Sequence, residues 1–380
     1  MAAGTDGCYD IASLADALAG KGHDVRVYTA APSCSVLTGG DFEVIPMPVE
    51  PAVGRPPAAL MPSIGDIGRL LVDDWTHRPP DVAHSQGWAY GMASQLAANR
   101  VPVPTVQAFN GLATLTGQPG HQQETPETAV KVQNLLAKNA TTIAAACADD
   151  LSELIRLGCP RAKISVLPAG VTVDEDSAGE PRSPRPDGQH QVVAVASGPA
   201  RTDRLAEVVR AMSVLPHGRL RILERVGGER RTAGRLRDLA AGLGVGDHCE
   251  VVPVADEAEL SAELRSADVV VCPDSYDSYG TIALQAMASG AAVIAAAAGG
   301  IRDAVIPDVT GVLVPPANVD ALRRALRSVL GQQVLREGMG LAGRSRARSR
   351  YSWDRIAVDA ESAYRAAAEQ HSTAARPAMV

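Results

Sequence analysis

The chain is predicted to be an α/β protein made of two doubly wound, Rossmann-like domains. Three observations carry that expectation. Short apolar runs alternate with helix-period segments along most of the length. A stretch rich in Pro, Gly, Asp and Arg and without periodicity, residues 169–191, interrupts the alternation near the middle. And 380 residues are long for one core but comfortable for two.

The elements follow in order. Ile11, Leu14 and Leu18 fall at helical spacing, and Val25, Val27 and Tyr28 then alternate as a strand after Gly22. Residues 80–83 read as a short strand, followed by a helix around 91–98. Strands are expected at 104–109, 141–146 and 164–167. Beyond the linker, a strand at 192–196 leads into a helix carrying Leu205, Val208, Val209 and Met212. Residues 221–223, 250–252, 269–272, 292–294 and 312–314 supply further strands, and 352–367 pattern as an amphipathic helix. The expected division is therefore a first domain over 1–168, a linker over 169–191, a second domain over 192–350 and a terminal helix within 351–380.

Composition narrows the function. The chain is 46% hydrophobic and 21% charged, an ordinary globular balance, and only 3% aromatic, so its cores rest on Ala, Val, Leu and Ile. A net charge of −7 argues against general affinity for nucleic acid, which needs a basic face. The six cysteines form no C-x-x-C pair and read as small core residues in a reducing compartment. The eight histidines are scattered singly, so no metal site is expected. The apolar run at 291–298 is too short to span a bilayer, and the first residues lack a secretory pattern. A cytoplasmic protein without a membrane span is the expectation.

The most informative stretch is 273–290, PDSYDSYGTIALQAMASG. It follows the apolar run Val269–Val271 and turns through a Ser/Tyr/Asp/Gly loop. It then enters a helical pattern with Ile282, Ala286 and Met287 on one side. A strand, a tight loop and a helix N-terminus make an anion site, because the first helical amides have no internal partner and the dipole is positive there. Ser278, Gly280 and Thr281 offer hydroxyl and backbone donors to a phosphate; the alternative for Ser278 and Thr281 is helix capping.

This stretch resembles the donor-binding motif of the retaining GT-B glycosyltransferases of family 4, roughly Pro-x-x-x-Glu-x-Phe-Gly-x-x-x-x-Glu-Ala-Met-Ala-x-Gly. The resemblance extends through LADALAGKGHDVRVYT (14–29), PDVAHSQGWAYGMASQLAA (80–98), ELIRLGCPRAKISVLPAGV (153–171), SADVVVCP, GGIRDAV, TGVLVPP and RYSWDRIA. It is closest to the actinobacterial branch containing the mycothiol-pathway enzyme that joins N-acetylglucosamine to inositol 3-phosphate. The resemblance implies a GT-B fold, two Rossmann-like domains facing a central crevice, with the terminal helix returning to the first domain. It also implies transfer of a hexosyl group, with retention, from a UDP-linked nucleotide sugar to a small hydroxylated acceptor. No cofactor or metal is implied, since the one Asp-x-Asp site, 174–176, falls in the linker.

Carried over position by position, the site departs from the pattern. Asp277 and Gln285 stand where the family has its two glutamates. Gly198 and Asp203 stand where it has an Arg and a Lys that neutralise the leaving diphosphate. At an effective dielectric near 20, each such charge contact at 4 Å is worth on the order of 4 kcal/mol before screening. Arg201 and Arg204 are near enough to substitute, or are solvated arginines of a helix start. Asn110 replaces a His close to the reacting carbon; it can hydrogen-bond a sugar hydroxyl or cap a turn before Gly111, but it cannot relay a proton. His84 lies in AHSQ, with Gln86 replacing a second His, and reads as an acceptor-side residue or a packed strand end. Gly4, Gly7 and Thr125 fall in segments that the resemblance puts on the acceptor side.

The Gly4/Gly7 loop follows an apolar, central first strand in the family. Here it lies almost at Met1, so the expectation is a true start upstream; the alternative is a remodelled first domain. Five departures in one site (Asn110, Gly198, Asp203, Asp277, Gln285) predict little or no ordinary transfer activity. The two readings are a glycosyltransferase and an inactive relative that serves as partner or regulatory subunit of an active one in a hetero-oligomer. No residue argues for a third, epimerase-like chemistry.

Overall fold

The computed structural model describes residues 10–29, 40–47, 49, 57–116, 127–174, 189–196, 201–213, 215, 218–225 and 230–375. Gly4, Gly7, Thr125 and Gly198 lie outside them. The chain divides into two units, with the breaks at Gly170/Val171 and Ser352/Trp353.

The first unit runs α1 (Ile11–Gly20), β1 (Arg26–Thr29), β2 (Glu43–Pro46), α2 (Ile64–His77), β3 (Ala83–Gln86), α3 (Trp88–Ala98), β4 (Thr105–Ala108), α4 (Ala113–Thr116), α5 (Glu127–Asn139), β5 (Thr142–Ala145), α6 (Ala148–Arg156) and β6 (Ile164–Val166). Asp10 starts α1 by accepting the Ser13 amide at 3.1 Å, and Leu14, Ala15 and Leu18 bury its inner face. Its strands form two parallel sheets, β1-β2 and β3-β4-β5-β6. Thr105–Ala108 and Thr142–Ala145 are buried at every position, as strands covered on both faces must be. The strand expected at 80–83 lies instead at Ala83–Gln86. Pro79 and Pro80 have no amide to donate, so pairing begins where the Ala83 amide reaches the Pro104 carbonyl at 2.9 Å.

The second unit runs β7 (His190–Ala194), α7 (Arg201–Met212), β8 (Gly218–Arg225), α8 (Arg230–Gly242), β9 (Cys249–Val254), α9 (Glu257–Ser266), β10 (Val269–Cys272), α10 (Thr281–Ala288), β11 (Ala292–Ala296), α11 (Gly300–Ala304), β12 (Gly311–Val314), α12 (Val319–Leu330) and α13 (Gln333–Tyr351). Its six strands are all parallel, in the order β12-β11-β10-β7-β8-β9. The winding reverses between β7 and β10, and ligands of such sheets bind beyond the strand carboxyl ends at that switch point. Val192, Ala194, Val269, Val271, Ala292 and Ile294 build the sheet's part of the core against Val208 and Leu326. The last helix, α14 (Trp353–Ala375), groups with the first unit and packs on α1, β4 and β5.

Cys147, Cys159 and Cys272 are buried thiols and Cys249 is half-buried; Cys8 and Cys34 lie outside the described residues. Among the described residues no group of three or more His, Cys, Asp or Glu could hold a metal ion, and no helix is long and apolar enough to cross a membrane.

Candidate functional site

The switch point sets the loop after β10 beside the chain leaving β7. Strand β10 is VVVC, buried throughout, so the loop that follows is anchored at its base. Helix α10 buries Ile282, Ala283, Leu284, Ala286, Met287 and Ala288, nearly its whole circumference, which fixes its N-terminus against the sheet. Between them the chain turns through Gly280 in the left-handed region (φ +63°), with no side chain capping the helix. Asp277 holds the turn: its Oδ1 accepts the amides of Tyr279 at 3.0 Å and Gly280 at 2.9 Å. Burial pushes the Asp277 carboxyl above the usual aspartate range, and the amides of Gly280, Tyr279 and Thr281 pull it back down. The neighbouring β11–α11 turn presses directly on this loop, the Gly300 amide donating to the Asp277 carbonyl at 2.8 Å.

Ser278 Oγ and Thr281 Oγ1, on either side of Gly280, are buried and have no hydrogen-bond partner. The capping alternative for both is therefore not what the fold uses. Gln285 sits one turn into the helix, where Nε2 donates to Glu257 Oε2 at 3.0 Å and Oε1 is buried without a partner. Glu257 is a neighbour that sequence reasoning missed, since it lies 28 residues away at the start of a different helix.

The two arginines expected near a diphosphate both fall on α7. Arg204 is not a solvated surface residue: it is 8% exposed and its Nη1 donates to Glu207 Oε1 at 2.8 Å. Burial holds the Glu207 carboxyl above its ordinary value, against the pull of Arg204 and Arg210. Asp203 faces outward, 3.9 Å from Arg235 of α8, an exposed pair of small energetic weight.

In the first unit the structure joins two of the expected residues. Gln86, at the end of β3, donates through Nε2 to Asn110 Oδ1 just after β4. This pairing is a further use of Asn110, beside the sugar contact and the turn cap that the sequence left open. Gln133 of α5, unremarked in the sequence, clamps the same loop: its Oε1 accepts the Ala113 amide at 2.8 Å and its Nε2 donates to the Gly111 carbonyl at 3.2 Å. His84 is packed inside the unit, with Nδ1 2.8 Å from the Tyr364 hydroxyl and the rings in an edge-to-face contact at 5.6 Å. Desolvation lowers its pKa to about 4, so it is neutral at physiological pH.

With this geometry in hand, comparison with known proteins is decisive for the class. Residues 180–346 match the family model "Glycosyl transferases group 1", and residues 10–170 match "Glycosyl transferase 4-like domain". The D-inositol 3-phosphate glycosyltransferase of Geodermatophilus obscurus is 31% identical over 82% of this chain and 72% of its own length. The protein of the same name from Streptomyces scabiei is 29% identical over 95% of this chain and 86% of its own. Sucrose-phosphate synthase of Thermosynechococcus elongatus superposes with a TM-score of 0.79 at 24% identity, covering 93% of this chain and 92% of its own. HepE of Anabaena, solved in complex with UDP-glucose, superposes with a TM-score of 0.73 at 16% identity, covering 95% and 97%. The fold is that of the GT-B proteins. The chain belongs to the family 4, group 1 glycosyltransferases, and its curated relatives include actinobacterial enzymes named for D-inositol 3-phosphate.

Proposed function

We propose that this chain binds a UDP-linked nucleotide sugar at the β10–α10 loop and, by descent, transfers its hexosyl group with retention to a small hydroxylated acceptor at a rate well below its relatives'. One observation carries the binding part. Two hydroxyls, Ser278 Oγ and Thr281 Oγ1, are buried without partners at the open N-terminus of α10. Each such group costs roughly 1–3 kcal/mol when left unsatisfied, and phosphate oxygens at a helix N-terminus are acceptors that would satisfy it. Residues 1–168 would form the acceptor-side domain and 192–350 the donor-side domain. Within 351–380, the terminal helix would belong with the first domain, and the protein would act in the cytoplasm without a metal.

The low rate follows from charge. Positions 203 and 277 carry aspartates, 198 is glycine, 285 is neutral, and the buried Arg204 is already committed to Glu207. A transition state that gathers charge on a leaving diphosphate is left without the cations that ordinarily stabilise it. The same Arg204–Glu207 pair favours the second reading, an inactive partner or regulatory subunit in a hetero-oligomer with an active enzyme.

Calorimetric titration of UDP and then UDP-N-acetylglucosamine into the whole chain tests the proposal. Micromolar binding with slow UDP release in the presence of inositol phosphates or other cyclitols is the expected result. Binding with no release at all would favour the partner reading, and no binding by folded protein would end donor-dependent chemistry.

A further inference from the structure

The β10–α10 loop rests against a helix that cannot hold itself. Helix α11 has five residues, too few to be stable alone. It nonetheless meets the loop backbone to backbone. The Gly300 amide donates to the Asp277 carbonyl at 2.8 Å, and a Cβ at Gly280 would lie 3.0 Å from the Ile301 nitrogen. With no side chain between them to give way, a shift of α11 passes directly to Asp277, Ser278 and Gly280.

The far end of α11 also lacks partners of its own. Four residues on from Asp303 stands Pro307, which has no amide to donate. Four on from Ala304, the Asp308 amide goes instead to the Gly311 carbonyl at 2.8 Å. Helix α13 fills both places. Arg346 donates through Nε to the Ala304 carbonyl at 2.7 Å and through Nη2 to the Asp303 carbonyl at 2.8 Å. The Tyr351 hydroxyl donates to the Asp303 carbonyl at 2.9 Å. A guanidinium at this end also suits the negative pole of the helix dipole.

Tyr351 is itself firmly placed. It is buried, and the guanidinium carbons of Arg346 and Arg350 lie 5.6 and 5.4 Å from its ring centre. Burial raises the pKa of its hydroxyl above the ordinary tyrosine value, against the pull of the two arginines, so the group stays a donor. Its backbone has a second partner: the Tyr351 carbonyl accepts the Val171 amide at 2.7 Å, and Val171 forms a parallel bridge with Ser352. These residues adjoin Gly170/Val171 and Ser352/Trp353, where the chain passes between its units. One residue therefore holds α11 by its side chain and the unit boundary by its backbone.

We infer that Arg346 and Tyr351 are positioning residues for the β10–α10 loop: through α11 they set where Ser278, Gly280 and Thr281 stand, and through Tyr351 they tie that loop to the unit boundary. The inference rests on the reading of this loop as the donor site, and the two residues act on it through α11 alone.

The test compares the whole chain with Tyr351→Phe and Arg346→Gln by amide hydrogen exchange and by UDP titration, at a temperature where all are folded. Arg336→Gln is the comparator, because buried Arg336 holds the Leu330 carbonyl at the end of α12, at 3.0 Å, in the same manner. Both test variants are expected to speed exchange at Gly300 and Gly280 on the order of 10-fold and to weaken UDP binding roughly 5-fold. Tyr351→Phe is expected to speed exchange at Val171 as well. Arg336→Gln should lower the unfolding midpoint and do none of this. Unchanged exchange at Gly300 and Gly280, a loosened loop with UDP affinity intact, or equal effects from Arg336→Gln overturns the inference. Unchanged exchange at Val171 in Tyr351→Phe overturns the tie to the boundary. A parent chain that binds no UDP ends the donor reading, and exchange at Gly280, inside the loop itself, then decides the positioning role alone.

Discussion

Asp277 Oδ1 lies 2.9 Å from the Gly280 amide, and this bond closes the loop that delivers α10 to the sheet's switch point. The same oxygen takes the Tyr279 amide, so the short side chain folds back on the two residues that follow it closely, as aspartate does in turns. Asp277→Ala is expected to destabilise the protein by about 1–2 kcal/mol, and Asp277→Asn, which keeps an acceptor oxygen, by clearly less. Urea unfolding of the two variants checks the order.

Ser278 and Thr281 should separate stability from binding. Their hydroxyls are buried without partners, so Ser278→Ala and Thr281→Val should leave the free protein as stable as before, or slightly more so. If they face the donor's phosphates, each change should weaken UDP binding by roughly 10-fold, the worth of about 1.4 kcal/mol. Unfolding curves and UDP titration on the same samples give the comparison; unchanged affinity in both variants would remove the hydroxyls from the site.

Gly299 and Gly300 have no room for a side chain. A Cβ at 299 would sit 2.1 Å from the Asp277 carbonyl oxygen, and one at 300 would sit 2.5 Å from that of Ser278. Gly299 also holds a positive φ of 56°. Gly299→Ala should therefore cost about 3 kcal/mol and displace the β10–α10 loop, with loss of UDP binding even where the protein still folds. Thermal unfolding with and without UDP reads both effects.

His84 makes stability depend on pH. Its folded pKa of about 4 lies below the unfolded value of about 6.5, so the unfolded chain takes up the proton first as pH falls. The contribution is fully present above pH 6.5 and is lost progressively down to pH 4, on the order of 3 kcal/mol in all. His84→Phe, which keeps a ring against Tyr364 and cannot titrate, should flatten that part of the profile. Urea midpoints at half-unit steps of pH measure it.

Much of the second unit was legible because its strands are short apolar runs between clear turns, and Val269–Cys272 followed by a Ser/Gly loop can hardly be read otherwise. Strand β2 (EVIP) was missed: two half-buried residues between two exposed ones, the last a proline, carry no period. Helix α2 was missed as well, although Ile64, Ile67, Leu71 and Trp75 fall at helical spacing. The site divides in the same way. Ser278, Gly280 and Thr281 could be singled out as candidates because one local motif contains them. Gln86–Asn110, Gln285–Glu257 and the clamp by Gln133 join residues 20 or more apart, and no local period announces such pairs. Whether Arg204 is solvated or turned inward stayed open in the sequence, because its partner, Glu207, lies one turn along the same helix, where a surface ion pair is the commoner outcome.

The contact between His84 and Tyr364 spans 280 residues, with the whole second unit threaded between them. At ordinary rates of translation, about 5–20 residues per second, the ribosome needs tens of seconds to bridge that gap. The second unit can therefore finish folding on the ribosome while the first waits with its interior uncovered. Release of the last 28 residues completes the half of the protein that was made first. A premature stop anywhere in α14 would strike the N-terminal unit and leave its neighbour whole.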